Sequence, residues 1–258
     1  MKEREIQKGH VHPLSILTDQ IATIMTDIGF DVVDGPELET EYYNFDALNV
    51  PKDHSSRDMQ DTFWIKPHDG GGEDGRERYL LRTHTSSVQI HYMTEKVKLG
   101  ITPPYAIVVP GKVFRNEATD ATHEAQFLQV EGLMIGRDVT LGTLKGTLEH
   151  FFSKLFGGAP VVRLRSSFFP FTEPSVEIDM RCFKCAGFGC RVCKQSGWIE
   201  IMGGGMVHPN VLSECGLNSL EWQGFAFGGG MDRIAMLKWG IDDVRLLYSG
   251  DLRVVNQF

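Results

Sequence analysis

Two arginines, several carboxylates and a run of glycines bound the chemistry open to this chain. Arg115 lies in Phe114-Arg115-Asn116-Glu117, Gln129 and Glu131 follow in Phe127-Leu128-Gln129-Val130-Glu131, and Arg233 closes the segment Gly224 to Arg233, GFAFGGGMDR. An arginine fork grips two anionic oxygens at once. A reaction in which a carboxylate attacks a phosphate needs cations and positioning more than a side-chain nucleophile. No Ser-His-Asp pattern is found. Gly228-Gly229-Gly230 lies close to the C terminus, with no room for the βαβ unit of a dinucleotide loop, so it reads as close backbone packing at a strand-to-helix turn.

A second constellation is Cys182-x2-Cys185-x4-Cys190-x2-Cys193. Four thiolates on two knuckles suit zinc in a closed structural site, with an iron–sulfur cluster or reduced thiols as the alternatives. Gly187, Gly189 and Gly197 permit the tight turns such a site needs. Tight C-x-x-C pairs in a chain without an apolar leader favour metal over disulfide. Cys215 stands apart on a predicted helix and reads as a small core residue.

The elements that must position these residues follow from periodicity. Leu14, Leu17, Ile21, Ile24 and Ile28 recur at steps of three and four, predicting a helix over 13–28 that Gly29 stops. A short strand follows over 30–33, then the Gly35-Pro36 turn. Residues 62–66 and 78–82 read as a hairpin around the glycine-rich loop 68–75. A helix is predicted over 83–97. Strands follow at 105–109, 112–117 and 126–135, the last with Phe127, Gln129 and Glu131 on one face. A helix spans 141–155; strands lie at 161–164, 175–180 and 198–202; helices cover 210–215 and 230–239. The cysteines interrupt two strands, as a metal-stapled hairpin would. The fold class is α+β, an antiparallel sheet flanked by helices.

In this order and at these separations, the motifs resemble the catalytic core of class II aminoacyl-tRNA synthetases. The local wording resembles the bacterial phenylalanine-specific alpha subunits, over residues 12–258 with 1–11 as a short lead. The resemblance implies ATP and magnesium as cofactors, and some bacterial members of the family carry an insert similar to the knuckle 182–193. It implies Arg115 on the α-phosphate and substrate carboxylate, Glu117 by the adenine, Phe127 under the base and Arg233 on its other face, with Gly228 beside them. His123 would contact ATP phosphate or the tRNA end, or is simply a loop histidine. Glu200, and more weakly Glu173, would hold magnesium. Leu81 to Ser86 resembles the head-group loop, so His84 and Ser86 would serve the carboxylate and phosphate side while Gln129 and Glu131 bind the ammonium. Phe169 and Phe171 would stack edge to face on the substrate ring, Ala226 would floor the pocket, and Trp64 would stand at its rim. Asp232 departs from the family's usual glutamate, Ser166-Ser167 from its usual Pro-Ser, and 96–102 carries extra residues.

The bulk numbers agree with an enzyme that leans on partners. The chain has 258 residues, 41% hydrophobic and 23% charged, with net charge −8. Its length allows a sizeable core, and no apolar run spans a bilayer, so the expected setting is the cytoplasm and no membrane. An acidic chain without a basic run is expected to bind tRNA weakly by itself. By the resemblance, a tRNA-binding N-terminal extension and a beta subunit complete the enzyme, as an alpha–beta assembly or homodimer. The apolar face of the first helix is consistent with a dimer contact and equally with burial inside one subunit. Two other functions compete. One is a synthetase for another bulky or phosphorylated amino acid; Phe169, Phe171 and Ala226 argue against a phosphorylated one. The other is a silent paralogue using its knuckle as a binding module.

Overall fold

The computed structural model describes residues 9–58, 61–66 and 77–258. The expected loop 68–75 lies outside them. In chain order the helices are α1 (Pro13–Asp27), α2 (Glu41–Asn44), α3 (Ser86–Lys98), α4 (Leu141–Phe156), α5 (Pro209–Glu214), α6 (Met231–Trp239) and α7 (Leu252–Val255). The strands are β1 (Asp31–Val32), β2 (Leu38–Thr40), β3 (Tyr79–Leu81), β4 (Tyr105–Phe114), β5 (Gln126–Gly136), β6 (Val162–Phe169), β7 (Thr172–Arg181), β8 (Trp198–Val207) and β9 (Gln223–Gly230).

Seven strands form one sheet in the order β1-β4-β5-β9-β8-β7-β6. Only β1 against β4 is parallel; every other pair is antiparallel. Alternation along the strands feeds two cores on opposite faces. Val108, Val130, Phe225 and Phe227 meet Leu17, Ile21 and Met25 of α1, Phe151 and Phe152 of α4 and Ile234 of α6. Ile107, Val109, Leu133 and Ile135 meet Ile90 and Met93 of α3 and Leu212 of α5. Fully burying each such side chain contributes about 1.5–3 kcal/mol. The apolar face of α1 is therefore consumed inside this chain, where it packs on α4 and α6. No helix among the described residues is long and apolar enough to cross a membrane.

The α+β expectation holds, and the differences have physical causes. Strands expected at 105–109 and 112–117 are one strand, because Pro110 and Gly111 stay in register with Val130 and Gln129. Proline's missing N–H is harmless there, since the neighbouring β1 pairs only at Ile107 and Val108. Strand β8 runs on through Gly203 to Gly205, beyond the expected end at 202, and β9 is a full central strand. Glycine is disfavoured in strands, so local propensity hides both. Helix α3 starts at Ser86 rather than Thr83, since the backbone N–H groups of Thr83 and Thr85 are held by Asn44 and Glu131. The expected hairpin keeps only a Trp64–Leu80 bridge, and the regular partner of β3 is β2. Arg82, 1% exposed, pins this region: Nε donates to the Lys112 carbonyl at 2.7 Å and Nη1 to the Gly35 carbonyl at 2.9 Å.

Candidate active site

On the α3 face of the sheet lies a cavity of about 680 Å³, within the usual size for a small-molecule site. Strand β5 supplies Phe127, Gln129 and Glu131 at alternate positions, as its period of two requires. Gly228, opposite Glu131 in the β5–β9 register, also lines it. A Cβ at Gly228 would stand 2.6 Å from Glu131 Cγ, so only glycine leaves the carboxylate where it is. Across the sheet Gly203 pairs with Gly228, and a Cβ at Gly203 would meet the Phe169 ring at 2.8 Å. The two glycine runs thus make a bare backbone floor under the cavity.

Glu131 is 4% exposed and takes three hydrogen bonds from the start of α3. The Thr85 N–H donates at 3.1 Å, Ser86 Oγ at 2.6 Å and Gln89 Nε2 at 2.9 Å. Burial pushes its carboxyl up to about 7, against the downward pull of Ser86, Thr85 and the nearby Arg115 charge. Burial, then the Arg115 charge, pushes His84 down to about 4, so its imidazole is neutral at pH 7. His84 Nδ1 and Gln129 Oε1 are shielded from solvent and have no protein partner among the described residues. Unpaired buried polar atoms on residues that line a cavity are poised for a polar ligand.

Arg115 follows β4 and enters the cavity wall, its N–H donating to the Ala125 carbonyl at 2.9 Å and its Nε to the Thr83 carbonyl at 3.4 Å. Its guanidinium lies 5.2 Å from the Phe127 ring centroid. Glu117 lines the cavity too. At the other end Phe169 and Phe171 stack nearly parallel, centroids 5.8 Å apart at 8°, and Ala226, opposite Gly205 in the β8–β9 register, also lines the cavity. Glu200 lines the cavity from β8 and is held by Arg165 Nη2 at 2.6 Å. Arg165 also grips the buried Asp179 through Nε at 2.6 Å and Nη2 at 2.9 Å.

Four expected site residues stand off the cavity wall. Trp64 is turned to the second core, its Nε1 donating to the Arg57 carbonyl at 3.2 Å and its ring covered by the Arg78 guanidinium at 3.7 Å. His123 closes its own loop on Asp120, with Nδ1 3.0 Å from the carboxylate. Glu173 is exposed and faces His208 Nε2 at 3.4 Å. Arg233 is exposed at the start of α6; its Cβ lies 4.0 Å from a Cβ built on Gly230, a cavity residue. Its neighbour Asp232 is buried instead, accepting from the Leu128 N–H at 2.8 Å and from the Tyr248 hydroxyl. Sequence reasoning missed Gln89, three residues beyond Ser86 on α3, and Glu177 on β7; both line the cavity. The helical step from Ser86 to Gln89 was the available signal for the first.

The four cysteines sit at the end of the β7–β8 hairpin, closed by the Cys182 N–H on the Gly197 carbonyl at 2.9 Å. Their sulfurs lie within 4.8 Å of one another, with separations of 3.7 Å for Cys182–Cys190, 3.8 Å for Cys185–Cys193 and 3.7 Å for Cys190–Cys193. Sulfurs about 2.3 Å from a tetrahedral ion would be about 3.8 Å apart, whereas a disulfide brings them to about 2.05 Å. Backbone N–H groups of Gly189, Cys190 and Gly197 donate to Cys185 or Cys193 at 3.1 to 3.3 Å, which suits thiolates. The donor set therefore fits a four-sulfur metal site. Cys215 is buried in the second core, as expected.

A family model described as the class II core domain of tRNA synthetases, type F, matches residues 1–258. A phenylalanine–tRNA ligase alpha subunit of Bacillus licheniformis is 53% identical over 253 residues, 98% of this chain and 70% of that protein. The corresponding protein of Staphylococcus epidermidis is 51% identical over 258 residues, 100% of this chain and 70% of its own length. Among solved structures, pyrrolysyl-tRNA synthetase from Desulfitobacterium hafniense superposes with a TM-score of 0.67, covering 91% of this chain and 72% of that one at 16% identity; this speaks for the fold alone.

Proposed function

This chain belongs to the class II tRNA synthetase core family and, within it, to the alpha subunits of phenylalanine–tRNA ligase; from that premise we propose that it activates phenylalanine with ATP and passes the phenylalanyl group to its tRNA. One observation carries the reading. The buried Glu131 carboxylate, the Arg115 guanidinium and the Phe169–Phe171 pair line one cavity over a glycine floor.

The phenylalanine carboxylate attacks the α-phosphorus; a P–O bond forms to it as the bond to the leaving pyrophosphate breaks. Arg115 holds carboxylate and α-phosphate together and offsets charge as it builds. Gln129 and Glu131 take the ammonium, which favours the ionised carboxylate that burial alone disfavours. His84 and Ser86 line the carboxylate side, and the neutral imidazole of His84 adds a hydrogen bond without a charge. Phe169 and Phe171 cover the substrate ring, and Ala226 limits its para position. The adenine lies on Phe127 with Glu117 at its edge and Gly228 beneath. The exposed Arg233 closes over its outer face.

Glu200 and Glu177 offer the hard oxygen ligands that magnesium prefers, and the ion would neutralise phosphate charge there. Glu173, exposed on His208, is left out of that set. Cys182, Cys185, Cys190 and Cys193 hold zinc as a structural ion. Residues 12–258 act as one catalytic domain in the cytoplasm, assembled with a beta subunit. The test is a charging assay with radiolabelled phenylalanine, its tRNA and purified beta subunit. Labelled tRNA with both chains and none with either alone is expected; charging of another amino acid in preference would overturn the assignment.

A further inference from the structure

The activation chemistry leaves the outer surface of the cysteine knuckle unused. From Arg181 to Gly197 the chain carries four basic residues, Arg181, Lys184, Arg191 and Lys194, and no Asp or Glu, within a protein of net charge −8. All four are exposed, and none forms an ion pair among the described residues. Phe188 stands among them 94% exposed. The base of the knuckle is anchored: Phe183 stacks on Phe156 of α4 at 5.5 Å, and Cys185 and Cys190 pack against the first core. Four thiolates around a divalent ion would take two charges from this surface, and the cations would still form its outer layer.

A single exposed aromatic residue is ordinary. One carried on a short knuckle with four exposed cations, none of them in an ion pair among the described residues, has the composition of a surface for unpaired nucleic acid, where cations neutralise phosphates and a ring stacks on a base. An acidic polypeptide would answer the charges, but a nucleic acid offers a planar base beside every phosphate. The position agrees. Strand β8 starts at Trp198, and Glu200, roughly 7 Å further along the strand, lines the cavity. An RNA whose 3′ end enters the cavity would pass the knuckle.

We propose that the knuckle is an RNA-binding surface, in which Arg181, Lys184, Arg191 and Lys194 hold phosphates and Phe188 stacks on an unpaired base of the tRNA that receives the phenylalanyl group. This rests on the synthetase reading above. The test measures binding of the full chain to a phenylalanine-acceptor tRNA transcript by fluorescence anisotropy between about 50 and 200 mM salt. The variants are Phe188→Ala and the triple Lys184→Glu, Arg191→Glu, Lys194→Glu. The triple variant is expected to lose about 100-fold in affinity at low salt and to flatten the salt slope by about 2 to 3. Phe188→Ala is expected to lose about 5- to 100-fold. Both keep phenylalanine-dependent pyrophosphate exchange in the presence of the beta subunit, which reports on folding and on the synthetase reading separately. Unchanged affinity and slope in both variants would overturn the proposal, as would no binding by the parent at the lowest salt. Retained tRNA binding with lost association with the beta subunit would overturn it in favour of a protein interface.

Discussion

Ser86 Oγ donates to Glu131 Oε2 at 2.6 Å, so the first turn of α3 and the middle of β5 meet on one buried carboxylate. Its pKa is raised from 4.5 to about 7 because burial outweighs these donors. The fold therefore favours the protonated form. The stability this contributes is complete below pH 4.5 and is lost as pH rises through 7, a change of about 3 kcal/mol. Glu131→Gln removes that titration. The stability difference between variant and parent should shift toward the variant between about pH 4.5 and about pH 7, by up to that amount, in denaturant melts. A pH-independent difference would contradict the account.

Ammonium binding needs the same carboxylate ionised. The KM for phenylalanine should thus fall as pH rises toward neutrality, approaching about tenfold per pH unit on the acid side, while the KM for ATP changes little. Glu131→Gln should flatten the phenylalanine profile and raise its KM. Parallel profiles for the two substrates would separate Glu131 from the ammonium.

Arg115 lines the cavity over the glycine floor, and no side-chain carboxylate holds it at hydrogen-bond distance among the described residues. Arg115→Lys keeps the charge and loses the fork. Pyrophosphate exchange should fall about 100- to 1,000-fold in kcat, with the melting temperature close to the parent's. A loss confined to KM would make Arg115 a ground-state contact only.

Ala226 and Gly228 test the two ends of the floor. Ala226→Gly removes one methyl from the cavity that Phe169 and Phe171 line, and discrimination against tyrosine should relax about 10- to 200-fold in kcat/KM. Gly228→Ala puts a methyl 2.6 Å from Glu131 Cγ, which should displace the carboxylate and raise the phenylalanine KM with little change in specificity. Identical effects of the two variants would show that these positions do not divide ring from ammonium.

The sulfur cluster predicts one tightly held zinc per chain by elemental analysis. Cys193→Ser should release it and lower the melting temperature, since Cys193 is 4% exposed and accepts from two backbone N–H groups. A chain that is metal-free as purified yet melts at the same temperature with and without added zinc would contradict a structural role.

Much of this site was legible because alternate residues of one strand, Phe127, Gln129 and Glu131, carry it, and period two shows which face they share. The cysteine spacing was legible because knuckle geometry is local. The far half of β8, with Gly203 to Gly205, and the extent of β9 were not legible, although the strand-to-helix turn with close backbone packing at Gly228 to Gly230 was. Glycine there answers to a neighbouring ring, carboxylate or backbone that only the fold brings close. Trp64, His123 and Glu173 stand off the cavity wall, each against a partner, Arg57, Asp120 or His208, that no local pattern announces.

Phenylalanine activation is tested most simply by amino-acid-dependent exchange of pyrophosphate into ATP, with phenylalanine against tyrosine and leucine and no tRNA present. Exchange with phenylalanine is expected from the purified chain once its beta subunit is added, with at most marginal exchange for the other two. A folded assembly that exchanges with none of them, or with tyrosine or leucine as readily as with phenylalanine, would contradict it.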